Sequence, residues 1–176
     1  MALPNLDKSK PPGWRVADLA RAVADDHASG VALALYQRLS LLQCWDAALL
    51  CAWSANGVQC AQVNMTASGF GVIQVNSFSR LFGANPAKVP SIGHLMNLPR
   101  GCFIGFVRKG VLRHVMLHIG QGFGAGNKND CVLKSGKSVG WEKLDMADFF
   151  RPGKSADHNN NKETDMIYIA VNGQTV

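Results

Sequence analysis

The sequence predicts an α+β domain in which N-terminal helices pack on an antiparallel sheet, and three observations carry that expectation. Helical periodicity is confined to the first third of the chain, apolar strand patterns follow from residue 102 onward, and tight glycine-containing turns separate those strands. Helices followed by hairpin-linked strands settle on a face of the sheet rather than between parallel strands.

The elements follow in order. Residues 1–13 hold Pro4, Pro11, Pro12 and Gly13 and read as an extended lead-in, leaving residues 14–176 as a single domain. Val16, Leu19, Ala20, Val23 and Ala24 share one helical face, with an end expected near Gly30. Residues 31–53 are the most apolar stretch and are expected to be helical in their second half. There Ser40-Leu41-Leu42-Gln43 fits a capping box that starts a helix at Leu41 and puts Cys44 in its first turn. Trp45, Ala48, Leu49 and Ala52 form the stripe that this helix buries.

Residues 54–100 are irregular by pattern, with short elements expected around Val72–Val75 and Ile92–Leu98, and Pro86, Pro90 and Pro99 interrupt any long helix. Cys102–Val107 and Val111–Ile119 then read as a hairpin turning at Arg108-Lys109-Gly110. Residues 120–130 read as a glycine-rich bend, Cys131–Lys134 as a strand, 141–150 as a short strand or helix, 151–165 as a polar loop and Met166–Val171 as the last strand.

Composition narrows the function classes. A chain of 176 residues buries roughly 70% of its unfolded surface, enough for one core without staples. Apolar residues at 47% and charged residues at 17% exclude a disordered chain. Apolar runs stay too short for a membrane span. The N-terminus lacks the basic-then-apolar order of a signal peptide, so synthesis in the cytoplasm is expected. The net charge of +6 is spread along the chain without a basic stripe interleaved with aromatics, which argues against a nucleic-acid partner. Five cysteines without a C-x-x-C pair argue against a disulfide framework and a zinc knuckle.

Candidate chemistry falls on few residues. Cys44 at a helix start would lie among free backbone N–H groups, which stabilise a thiolate. His114 opens an apolar strand, where an imidazole can face a neighbouring helix terminus. His118 lies on the same strand face, but strand rise separates the two α-carbons by about 13 Å, too far to share a metal ion. No metal or cofactor site is expected. The glycine-rich bend mimics a dinucleotide loop at Gly120-x-Gly122-x-x-Ala125, and Asn127-Lys128-Asn129-Asp130 mimics a guanine signature. Neither has the surrounding βαβ unit or phosphate loop that the mechanism needs.

Leu98-Pro99-Arg100-Gly101-Cys102-Phe103-Ile104-Gly105-Phe106-Val107, a turn, and His114-Val115-Met116-Leu117-His118-Ile119-Gly120-Gln121-Gly122 together resemble the core of the NlpC/P60 branch of the papain-like hydrolases. Cys44-Trp45, several tens of residues upstream, is similar to the cysteine–tryptophan pair of papain-type peptidases. The resemblance covers residues 40–53 and 98–130. It implies a papain-like fold, Cys44 as nucleophile and His114 as base. The third, orienting residue falls at or just after Gly126, where Asn127 is favoured and Asn129, Asp130 or the more distant Asp148 are alternatives. Gln37 or Gln43 would supply an oxyanion donor. Cys102 stands where the family usually has aspartate.

The implied activity is cofactor-free hydrolysis of an amide in a peptide or protein. A small basic chain of this kind looks like a bacterial effector toxin delivered by a contact-dependent system such as type VI secretion. An immunity or delivery protein would then be a partner. Peptidoglycan crosslinks and glutamine or asparagine side chains of a host protein, such as a Rho-type GTPase, both fit as substrates. The alternative is a binding module that keeps the fold without the chemistry. Because His118 is not the base in this reading, His118→Gln should keep turnover within about tenfold of wild type, where loss of a general base costs roughly 10²–10⁴-fold. Steady-state assay of that variant checks it, and an inactive His118→Gln beside an active His114→Ala would reverse the two assignments.

Overall fold

The computed structural model describes residues 6–26, 30–55, 73–74, 85–127, 140–151 and 164–170. Helix α1 spans Pro12–Asp25. It begins inside the expected lead-in because proline suits a first helical turn, where its missing N–H would have no helical partner. Val16, Leu19, Ala20 and Val23 form its buried face, as the periodicity predicts.

Helix α2 spans Gly30–Ser40 and α3 spans Cys44–Ser54. The apolar stretch is therefore helical in both halves. The chain breaks at residues 41–43, where Leu42 N–H closes a turn on Leu39 O. Gln43, extended at φ −66° and ψ 156°, is the residue that caps α3. The expected cap at Ser40 is incorrect: its hydroxyl accepts from the backbone N–H of Trp141 instead. Cys44 nonetheless lies in the first turn of its helix, as its first residue.

The strands are β1 (Ile73–Gln74), β2 (Ala87–Lys88), β3 (Phe103–Arg108), β4 (Val111–Gly120), β5 (Phe123–Asn127), β6 (Trp141–Asp145) and β7 (Thr164–Ile169). A short helix α4 (Ile92–Met96) precedes β3, and a 3₁₀ turn (Met146–Phe150) follows β6. The sheet runs in the order β2-β7-β3-β4-β5-β6, with β1 also paired to β4 and all pairings antiparallel. The β3–β4 hairpin turns at Lys109-Gly110, both at positive φ, the two-residue geometry whose twist matches that of the flanking strands.

The glycine-rich segment departs from expectation. Gln121-Gly122 is a second two-residue turn at positive φ, and Phe123–Asn127 is strand β5 rather than a bend; residues 128–130 lie outside the described residues. Its glycines make room for neighbours: a Cβ at Gly124 would lie 2.5 Å from Met146 Sδ, and one at Gly126 would lie 3.1 Å from Met116 Cγ. The expected strand at Cys131–Lys134 and most of the 151–165 loop lie outside the described residues. Residues 141–150 supply both a strand and a helical turn.

Two cores sandwich the sheet. On one face α1, α2 and α3 pack against Phe103, Val107, Leu112, Val115, Leu117 and Ala125. Trp45 meets Phe103 there with ring centroids 6.1 Å apart. On the other face α4 and the 3₁₀ turn cover Ile104, Phe106, Met116, Met166 and Tyr168. Where the turn before β3 meets the start of α1, the chains approach so closely that a Cβ at Gly101, held at φ +75°, would fall 2.1 Å from Gly13 O. Backbone strain and backbone collision act together at this position. Gly101→Ala should therefore lower unfolding free energy by roughly 2–4 kcal/mol, read by denaturant unfolding, and an unchanged midpoint would contradict the close approach.

Candidate functional site

The site is built where α3 meets β4. Strand β3 occupies one edge of β4. On the opposite edge β1 pairs with Val111 and Leu112, and β5 pairs with Leu117 through Gly120. Between them, Cys44 brings its thiol to the backbone N–H of Val115. Among the described cysteines Cys44 is half-buried, whereas Cys51 and Cys102 are fully enclosed.

Opposing effects set the thiol's acidity. Burial pushes the Cys44 thiol above its ordinary value, and the carboxylate of Asp46 pushes the same way. The N–H groups of Val115 and of the first turn of α3 pull it down, and burial is the larger influence. Asp46 suits the first turn of a helix, where negative charge is favoured, yet there it faces the developing thiolate. Its own carboxyl is raised by burial.

His114 is placed differently from expectation. Val115 points into the helix-side core, so its neighbour His114 points to the other face, where its ring stacks on Phe106 at 5.9 Å and 28°. No hydrogen bond joins the imidazole to Cys44; its Nδ1 is buried without a hydrogen-bond partner. Burial alone pushes this imidazole down to about 3, which keeps it neutral. His118 shares that face, with Nδ1 3.1 Å from Pro99 O, Nε2 buried without a partner and a pKa also pushed down by burial. The expected thiol–imidazole contact is thus replaced by adjacency along the strand: Cys44 touches the backbone of the residue beside His114.

The described candidates for the third position have other partners. Asn127 points to the helix face, and both hydrogens of its amide are used, on Leu39 O at 2.6 Å and Leu42 O at 2.5 Å. Its Oδ1, the atom that would accept an imidazole N–H, is buried without a partner on the helix face, whereas the His114 ring stacks on Phe106 on the far face. Asn129 and Asp130 lie outside the described residues. Asp148 sits in the 3₁₀ turn, bound to Arg151 at 2.7 Å and committed to that surface pair. Gln37 is exposed on α2 and Gln43 is exposed at the cap of α3, its side chain making no cap hydrogen bond. The backbone N–H groups of the helix start and of Val115 are the groups that hydrogen-bond the thiol among the described residues.

Among the described residues, histidine, cysteine, aspartate and glutamate form no cluster able to hold a metal ion, and no helix is long and apolar enough to cross a membrane. Comparison with family models, curated proteins and solved structures finds no match to this chain. Sequence reasoning missed Asp46 as a modulator, although its place two residues after Cys44 was visible. It also missed the Val115 N–H, which has no side-chain signature. Removing the carboxylate relieves repulsion of the thiolate, so Asp46→Asn should lower the Cys44 pKa. The pH profile of Cys44 alkylation should then move to lower pH; an unmoved or upward-shifted profile would refute the coupling.

Proposed function

We propose that the chain is a cysteine-dependent amide hydrolase with a papain-like fold, in which Cys44 is the nucleophile and His114 the base. One observation carries the reading: a partly accessible cysteine heads a helix and meets a backbone N–H directly beside a buried, neutral histidine. A buried Nδ1 without a partner costs about 1–3 kcal/mol, a cost more readily understood if the imidazole has a task outside its resting position. The reading requires that the His114 ring leave Phe106 and cross to the helix face of β4, toward the thiol.

In that arrangement neutral His114 takes the Cys44 proton as the sulfur attacks the amide carbonyl carbon. The backbone N–H groups of the α3 start and of Val115 favour the negative charge that develops on sulfur and oxygen. The C–N bond breaks, and the imidazolium returns its proton to the departing amine. Water, giving a proton to the imidazole, then cleaves the thioester and restores the thiol with a free carboxylate product. As a delivered bacterial effector, such an enzyme would act on a peptidoglycan crosslink or on a glutamine or asparagine side chain of a host protein.

The inactive binding module is a second reading. It is favoured by the raised thiol and by the stacking of His114 away from it. Mass spectrometry after incubation with peptidoglycan, and separately with host-cell lysate, separates the possibilities. Released muropeptides indicate the wall, and a gain of about one mass unit on a protein side chain is the arithmetic of replacing an amide NH₂ by OH. Cys44→Ala and His114→Ala should each abolish the product, with the double variant no worse than either single one. Near-wild-type activity in Cys44→Ala would sink the assignment. No product from either source, with Cys44 alkylating no faster than an ordinary thiol, would favour the binding module.

A further inference from the structure

We propose that Asn127 is a positioning residue for Cys44, holding the α2–α3 turn against the sheet so that α3 begins beside Val115. The inference rests on Cys44 being the functional thiol and gives Asn127 a role other than orienting an imidazole. Three contacts pin this short turn to one place. Asn127 Nδ2 donates to Leu39 O, at the end of α2, and to Leu42 O, two residues before Cys44. Trp141, directly opposite Asn127 in the β5–β6 register, donates its backbone N–H to Ser40 Oγ at 3.1 Å. The cross-strand pair therefore grips the turn on both sides of Leu41.

The position of Asn127 on the sheet explains why this grip governs Cys44. The β4–β5 register pairs Leu117 with Ala125, and its continuation brings Asn127 alongside Val115. The main chain that receives the thiol and the side chain that anchors the turn thus belong to neighbouring strand positions. Asparagine alone supplies two amide hydrogens here from a short side chain; aspartate has the same shape and supplies none. The amide is nearly enclosed, at 5% exposure, so water cannot replace those donations readily. Leu41, 87% exposed, adds no burial to the gripped turn, which is held by these polar contacts together with Leu39 and Leu42 packed on the core.

The test uses the full chain and two variants, Asn127→Ala and Asn127→Asp, with amide exchange by NMR and Cys44 alkylation by iodoacetamide. In the wild type the Asn127 side-chain hydrogens should exchange slowly. In a folded variant the Val115 amide should exchange at least about tenfold faster while Phe103–Val107 keep their protection. Cys44 should alkylate at least about fivefold faster, and hydrolysis should lose kcat with KM unchanged. Rapidly exchanging Asn127 hydrogens in the wild type would overturn the proposal even if neither variant folds. So would a folded variant with unchanged Val115 exchange and alkylation, or one whose sheet amides all weaken equally. Absence of hydrolysis in the wild type would instead overturn the nucleophile assignment, and the exchange readouts would still report on the turn.

Discussion

The docking of the α2–α3 turn on the β5–β6 strand pair is the constraint on which the rest of the site depends. Without it, an apolar stretch running from Gly30 to Ser54 has sequence reason to continue as one helix, and Cys44 would lie in its interior. Helix interiors offer a thiol no free N–H groups, whereas helix starts do. Breaking the helix at residues 41–43 thus creates the chemical environment of Cys44. The same strand pair ties in α1, since Trp141 Nε1 donates to Ala20 O at 3.0 Å. Three helices are registered on the sheet through one edge of it.

A second constraint is the alternation of β4. An irregularity between Phe106 and Val107 in the β3–β4 pairing leaves Arg113 as the extra residue, so Leu112 and Val115 both face the helices. From there the strand alternates regularly, and His114, Met116 and His118 all face the second layer. Charge on His114 would be buried beside Phe106, and burial likewise disfavours charge on His118, beside Pro99 and Arg100. The arrangement separates thiol and imidazole by one residue of backbone and one face of the sheet. Proposed catalysis therefore carries a conformational requirement, located at His114 on β4.

Much of the fold was legible because it rested on periodicity. The buried face of α1, the β3–β4 hairpin with its turn at Lys109-Gly110 and the final strand follow from spacing and turn chemistry. Cys44 at a helix start was legible too, although for a mistaken local reason, since Gln43 and not Ser40 caps the helix. Strand β5 was hidden because Phe123-Gly124-Ala125-Gly126-Asn127 has the composition of a bend; Met146 and Met116, distant in sequence, fill the space its glycines leave. The facing of His114 and the commitment of Asn127 were hidden for a related reason. Strand alternation says which residues share a face but not which face meets the helices.

The claim that Cys44 forms a covalent bond to its substrate is tested most directly by acid-quenching the reaction in its first turnover and mapping the protein by peptide mass spectrometry. The account predicts an acyl group on the Cys44 peptide, absent from His114→Ala and removed by hydroxylamine as a thioester should be. Turnover without any adduct on Cys44, or an acyl group on Cys102 instead, would contradict it.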